Sequence, residues 1–211
     1  EFRRVLFRST GHAPARRAAG RMASGAGKAM IDPRQALAIL AAAELIHSAD
    51  SVAAAVSRVA GAIGEQLCDR NPLLLCVMNG GVPFAGHLMT QLGFPLDFDY
   101  VHVSRYGQET SGGALAWLRL PSIPVRGRTV LLVDDILDEG LTLAAIRERL
   151  LQDGADTCCT AVVADKLHGR EKPITADFVA LTVPDRFLFG YGMDVRGAWR
   201  NLPAIYAMRE D

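Results

Sequence analysis

One stretch constrains the fold of this chain more than any other: Val130-Leu-Leu-Val-Asp-Asp-Ile-Leu-Asp-Glu-Gly-Leu-Thr-Leu-Ala-Ala-Ile146. Val130 to Val133 is an unbroken apolar run, the pattern of a buried strand. Two carboxylates, Asp134 and Asp135, stand at its C-terminal end. A loop with Asp138, Glu139, Gly140 and Thr142 follows, and an amphipathic helix runs from Leu143 to about Gln152, where Gly154 stops it. Open parallel sheets bind ligands outside the carboxyl ends of their strands. A loop that opens a helix presents free backbone N–H groups to a phosphate. The stretch therefore predicts a ligand carrying both hydroxyls and a phosphate.

The rest of the chain supplies strands and helices in alternation. Asp32-Pro33 reads as a helix start, with Asp as cap and Pro at the first helical position, and helical spacing continues to about His47. Ser48 or Asp50 caps a second helix whose apolar face is Val52, Val56, Val59, Ile63 and Leu67. Both are scaffolding, and His47 reads as a surface residue. Asn71-Pro72 breaks that helix, and Leu73–Met78 is a buried strand leading into Asn79-Gly80-Gly81 and a helix from Val82 to near Gly93. By itself this glycine loop reads either as an anion site or as a plain tight turn. Leu96–Val103 alternates as a strand; Ser104–Gly113 is polar and glycine-rich; Ala114–Leu120 is a short strand, which together predict a mobile flap on a hairpin. Thr157–Ala164 is a buried strand ending at Asp165-Lys166, where Lys166 reads equally as a surface or a cleft residue. Phe178–Val183 is a further strand, and the aromatics of Pro184–Asp194 read either as core or as a stacking platform. The predicted class is α/β, a mainly parallel sheet flanked by helices.

Charge is uneven along the chain. Residues 1–29 hold seven of the 23 basic residues and one of the 23 acidic ones, which leaves 16 basic and 22 acidic residues in 30–211, a formal charge of −6. An acidic body argues against nonspecific nucleic-acid binding. The arginine-rich start reads as a disordered or non-native extension, with a natural start at Met22 or Met30, rather than as a transit peptide. The domain is then 30–211. No apolar run reaches the ~18 residues of a membrane span. Cys68, Cys76, Cys158 and Cys159 lack metal-like spacing, and the last two, adjacent in a strand, read as buried reduced thiols of a cytosolic protein.

Neighbouring carboxylates at a strand end repel unless a cation or hydroxyl donors lie between them. Near a phosphate the cation of choice is Mg²⁺, which uses one or two carboxylates and keeps most of its waters. On these residues the chain resembles the type I phosphoribosyltransferases: apolar strand, two acids, two apolar residues, then Asp-x-Gly-x-Thr. The resemblance covers about 70–211. Asn79-Gly80-Gly81 resembles the family's pyrophosphate loop and Ser104–Gly113 its mobile flap. Lys166, Pro184–Asp194 and Arg200 resemble the purine hood of the hypoxanthine-guanine branch, a small subdomain expected from about 166–211 with the N-terminal helices.

The resemblance implies roles. Asp134 and Asp135 would bind the ribose hydroxyls and hold Mg²⁺, while Asp138, Glu139, Gly140, Leu141 and Thr142 would cradle the 5′-phosphate. Asp138 would meet the purine N7 as general acid/base. Lys166 would donate to O6, Phe187 would stack on the base, and Leu188 would offer backbone contacts. Asp194 would help hold a second Mg²⁺. Asn79, Gly80, Gly81 and Arg200 would bind pyrophosphate, with a cis peptide expected at Asn79-Gly80, and Ser104, Arg105 and Tyr106 would belong to the flap. N9 of hypoxanthine or guanine would displace pyrophosphate from phosphoribosyl pyrophosphate, giving IMP or GMP. An ammonium has only donors, so Lys166 favours a 6-oxo group over the 6-amino group of adenine. Family members form homodimers or homotetramers. The alternatives are a xanthine preference on the same fold, or a phosphoribosyl-pyrophosphate-sensing regulator. Asn79 and Arg105 depart from residues usual in the family.

Overall fold

The computed structural model describes residues 31–105 and 115–209. Helix α1 (Pro33–Ala42) starts as the Asp-Pro pair predicts, with Asp32 Oδ1 accepting the Arg34 N–H at 2.7 Å. It ends earlier than the predicted His47. Ala43 is extended, and Glu44–His47 forms strand β1, antiparallel to β9 (Ile205–Ala207) with Leu45 opposite Tyr206. Pairing with a strand some 160 residues away overrides the local helical period. Helix α2 (Ala49–Leu67) follows, Ser48 Oγ capping the Ser51 N–H at 3.2 Å and the predicted face turned inward. Cys68, at its C-cap, is exposed.

The main sheet comprises β2 (Leu73–Met78), β3 (Asp97–Arg105), β4 (Leu115–Arg119), β5 (Thr129–Leu137), β6 (Thr157–Leu167) and β7 (Phe178–Pro184), in the order β4-β3-β2-β5-β6-β7. All neighbours are parallel except β3 and β4, which pair antiparallel. The predicted strands are all present, four of them longer than expected: β5 runs past the acid pair to Leu137, β3 takes in Ser104 and Arg105, β6 continues to Leu167 and β7 to Pro184.

Two buried layers sandwich this sheet. One face packs α2 and α3 (Val82–Met89) against Leu74, Leu131, Val133 and Cys159; the other packs α4 (Leu141–Gln152) against Leu73, Leu132, Val162 and Cys158. Cys158 and Cys159 thus face opposite sides of β6, as alternation along a strand requires. The β2-α3-β3 crossover moves outward in one direction and β5-α4-β6 in the other, so the strand order reverses between β2 and β5. Such a switch point opens a crevice at the carboxyl ends of the two strands.

A three-stranded sheet, β1-β9-β8, lies apart from the main one, with β8 (Leu188–Phe189) at its edge. No helix among the described residues is long and apolar enough to cross a membrane. The predicted extension over 1–29 and most of the predicted flap, Tyr106 included, lie outside the described residues.

Candidate active site

The crevice between β2 and β5 is floored by the acid pair. β5 is fully buried from Val130 to Val133, and Asp134 and Asp135 continue it with only partial exposure. Each carboxylate caps the next peptide: Asp134 Oδ1 accepts the Asp135 N–H at 2.8 Å and Asp135 Oδ1 the Ile136 N–H at 2.8 Å. Burial and the neighbouring Asp135 charge push Asp134 well above the usual carboxylate range, and burial raises Asp135 too, against the pull of Asp134 and Arg200. The pair is a site that a cation would relieve.

Along one wall a cavity of about 300 Å³ is lined by Asp134–Gly140, Thr142 and Leu143. Helix α4 opens onto it two residues earlier than predicted, so Leu141 and Thr142 belong to its first turn. Its N-cap is Gly140, which has no side chain to cap the helix, and the positive end of the helix dipole there favours an anion.

The opposite wall is the glycine loop after β2. The cis peptide bond lies at Met78-Asn79, one residue before the expected Asn79-Gly80. Asn79 is exposed, whereas Gly80 and Gly81 are buried against β5. A Cβ on Gly80 would lie 2.0 Å from Asp135 Oδ2, and one on Gly81 2.7 Å from the Val133 carbonyl. Close approach to β5, at the Asp135 carboxylate for Gly80 and at the Val133 carbonyl for Gly81, therefore favours glycine at both positions.

Beyond β8 the strap Gly190–Gly192 covers this loop. Gly192 has φ +103, and a Cβ there would lie 2.1 Å from the Gly80 carbonyl oxygen. Tyr191 is buried beside it and its hydroxyl meets His87 Nδ1 of α3 at 2.8 Å. Arg200 donates to the Gly192 carbonyl at 2.5 Å, pairs with Asp194 and reaches within 4.0 Å of Asp135. Asp194 Oδ2 also accepts the Gly197 N–H at 2.6 Å. The pairing of Arg200 with Asp194 is absent from the sequence reading, which assigned the two residues separately to pyrophosphate and metal.

The third cluster extends from the ends of β5 and β6. Lys166 Nζ lies 2.8 Å from Asp138 Oδ2, its side chain 12% exposed. The cleft reading of Lys166 is therefore the one its position supports. Phe187 is 56% exposed, whereas Phe189 stacks on Tyr206 in the core. The Met208 N–H donates to the Phe187 carbonyl at 2.9 Å. This makes Leu188 and Ala207 a non-hydrogen-bonded antiparallel pair, which turns the Leu188 N–H and C=O away from β9 and onto the open sheet edge. Two further residues, unnoticed in the sequence, hold this cluster: Lys172 and His168, which bond to the main chain at Leu137 and Asp138.

Among the described residues no three His, Cys, Asp or Glu side chains gather around one point. Two hard carboxylates beside an open cavity nevertheless fit Mg²⁺, which completes its shell with waters and substrate oxygens. Asp194 fits less directly, because Arg200 and Gly197 take both of its oxygens in this arrangement.

The family profile described as a phosphoribosyl transferase domain matches residues 43–196. The hypoxanthine-guanine phosphoribosyltransferase of Streptococcus thermophilus is 35% identical over 154 residues, 71% of this chain and 86% of that protein. Its counterpart from Streptococcus pneumoniae is 30% identical over 169 residues, 80% and 94% of the two chains. A crystal structure of a hypoxanthine phosphoribosyltransferase from Staphylococcus aureus superposes with TM-score 0.75 at 25% identity, covering 79% of this chain and 91% of that one. A mutant of the hypoxanthine phosphoribosyltransferase from Trypanosoma cruzi, in a ternary complex with substrates, superposes with TM-score 0.74 at 29% identity, covering 80% and 97%.

Proposed function

The chain belongs to the phosphoribosyltransferase family and is a purine phosphoribosyltransferase, and from that premise we propose that it joins hypoxanthine or guanine to phosphoribosyl pyrophosphate in a Mg²⁺-dependent reaction. The observation that carries this reading is the Asp138–Lys166 pair at 2.8 Å, set beside a buried acid pair and a phosphate-sized cavity. Asp138 accepts or returns the proton at purine N7, for which hydrogen-bond reach is the requirement. Lys166 has three donors, so it can keep Asp138 and still donate to a 6-oxo group. The Leu188 N–H and C=O, on the free edge of β8, face the Watson–Crick side of the base, and exposed Phe187 offers a ring for stacking.

Asp134 and Asp135 accept from the ribose hydroxyls, and the α4 N-terminus with Glu139–Thr142 receives the 5′-phosphate. Asn79–Gly81 and Arg200 receive pyrophosphate on the other wall. N9 of the base attacks C1 of the ribose as the bond to the pyrophosphate oxygen breaks, and the C1–N9 bond replaces it. Asp134 and Asp135, with Asp194 once it leaves Arg200, would hold Mg²⁺, which when bound neutralises charge on the pyrophosphate oxygens. Ser104 and Arg105 end β3, and with Tyr106, the next residue in sequence, they would lead into a flap that excludes water from the activated sugar.

The test uses purified protein with Mg²⁺ and phosphoribosyl pyrophosphate, offered hypoxanthine, guanine, xanthine and adenine separately. Nucleotide should form from hypoxanthine and guanine and not from adenine. No product from either 6-oxopurine would overturn the reading.

A further inference from the structure

The mechanism above leaves one buried cation without a task. Lys172, in the β6–β7 connection, has a side chain only 13% exposed. Its ammonium has three donors, and all three are used: on the Leu137 carbonyl at 2.8 Å, the Lys166 carbonyl at 2.7 Å and Asp165 Oδ1 at 2.5 Å. Leu137 and Asp165 face each other as the last β5–β6 pair, so Lys172 sits in the fork where the two strands part. One branch of the fork leads to Asp138. The other carries Lys166.

A second bond falls on the same branch. His168 Nε2 meets the Asp138 carbonyl at 3.1 Å, and His168 Nδ1 accepts the Arg170 N–H at 3.1 Å. With Nδ1 accepting, Nε2 must be the donor, so the ring is the neutral tautomer with its proton on Nε2. The successive carbonyls of Leu137 and Asp138 are thus both held from one connection, and so is the carbonyl of Lys166.

We propose that Lys172 and His168 are positioning residues that fix the spacing between the Asp138 carboxylate and the Lys166 ammonium to the spacing of N7 and O6 on a 6-oxopurine. This rests on the proposed reaction and assigns it a determinant of base selectivity. The physical case is that N7 and O6 belong to one rigid ring system. The protein groups serving them come from different strands, and no direct ladder bond joins those strands beyond Leu137 and Asp165. A fully used ammonium across the gap converts two diverging chain ends into one rigid frame. Misplacement of a reacting group by about 1 Å costs on the order of 100-fold in rate.

The experiment compares wild type, Lys172→Met, Lys172→Arg, His168→Leu and His168→Gln in steady-state assays with hypoxanthine, guanine and adenine, alongside thermal melts. Lys172→Met should lower kcat/KM for hypoxanthine roughly 10- to 100-fold. The loss should appear in kcat and in KM for the base, with KM for phosphoribosyl pyrophosphate within twofold (~0.4 kcal/mol) of wild type. Its preference for hypoxanthine over adenine should narrow, and Lys172→Arg should restore part of the loss. His168→Gln, whose amide N–H replaces the Nε2 donor, should retain more activity than His168→Leu. A wild type that makes no nucleotide overturns both the reaction and the clamp. An active wild type overturns the clamp alone if Lys172→Met matches it. The clamp also falls if the loss is equal for both substrates and tracks the folded fraction in the melts. Should Lys172→Met fail to fold, the two His168 variants decide: equal rates for them overturn the proposal.

Discussion

The strap that covers the glycine loop is held so closely that one methyl group should dislodge it. Gly192→Ala places a Cβ 2.1 Å from the Gly80 carbonyl oxygen and 3.2 Å from Asp135 Cβ. The atom opposed is backbone, so no side-chain rotation relieves the clash, and φ +103 adds conformational strain. The strain contributes about 1–3 kcal/mol, and overpacking about as much again, for a total of roughly 2–6 kcal/mol against a typical domain stability of 5–15 kcal/mol. At about 2–4 °C per kcal/mol for a chain of this size, the melting temperature should fall by roughly 5–20 °C. Gly127→Ala separates the two contributions. Gly127 also has positive φ, +69, but nothing lies within 4 Å of its would-be Cβ. It should therefore show the conformational part alone, leaving Gly192→Ala the more destabilised by about 1–3 kcal/mol. Denaturant unfolding of both variants, with KM for phosphoribosyl pyrophosphate, measures this. Equal destabilisation of the two variants, or an unchanged KM in Gly192→Ala, would refute the argument that strap, glycine loop and Asp135 form one packed unit.

Asp138→Asn should cut turnover by about 100-fold or more, the scale of general acid–base catalysis. It should leave the affinity for phosphoribosyl pyrophosphate within a few-fold, by equilibrium titration; unchanged turnover would contradict the proton role. Asp134→Asn removes one member of a buried like-charge pair, so at neutral pH the metal-free variant should melt higher than wild type while its affinity for phosphoribosyl pyrophosphate is lost. Asp99 gives the pH dependence. Burial pushes its carboxyl up, but the Ile123, Tyr100 and Ser122 N–H groups and Arg119 outweigh that and hold it below the usual value. A depressed folded-state pKa means stability that is present above the unfolded value of about 3.9 and lost as pH falls through the folded one. Melts of Asp99→Asn should lose that part of the acid limb, and an identical limb in both proteins would count against it.

How much of this was legible in the sequence follows from the range of the forces involved. The apolar run Val130–Val133 and the helix face from Val52 to Leu67 are local patterns, and local patterns survive into the fold. Glu44–His47 was misassigned because its strand pairing is with Ile205–Ala207, far along the chain, while its apolar spacing still continued the helix. The acid pair and the glycine loop could be paired only through the family motif. That Gly80 is packed against the Asp135 carboxylate depends on the β2–β5 register, which no local signal carries. Lys172 was one of three lysines in the chain, yet nothing about its neighbours marks it. Its role comes from a fork between two strands.

Both charged arms of the site are already paired within the protein. Lys166 rests on Asp138, and Arg200 rests on Asp194 with its other end turned toward Asp135. Without such pairing, the largely buried ammonium and the half-buried guanidinium would have to be stabilised by water alone. With it, each substrate group meets a protein group that already has a partner, and the selectivity lies in what replaces that partner. In the proposed reaction a 6-oxopurine would let Lys166 keep Asp138 and would add an acceptor. Adenine brings a donor to a donor and offers nothing in exchange. In the proposed reaction pyrophosphate would compete with Asp194 for Arg200, and a released Asp194 carboxylate would then be available to a cation that the same pyrophosphate brings. The Arg200–Asp194 pair would thereby make binding of the leaving group and assembly of the acidic cluster dependent on each other, which a permanently free side chain would not do.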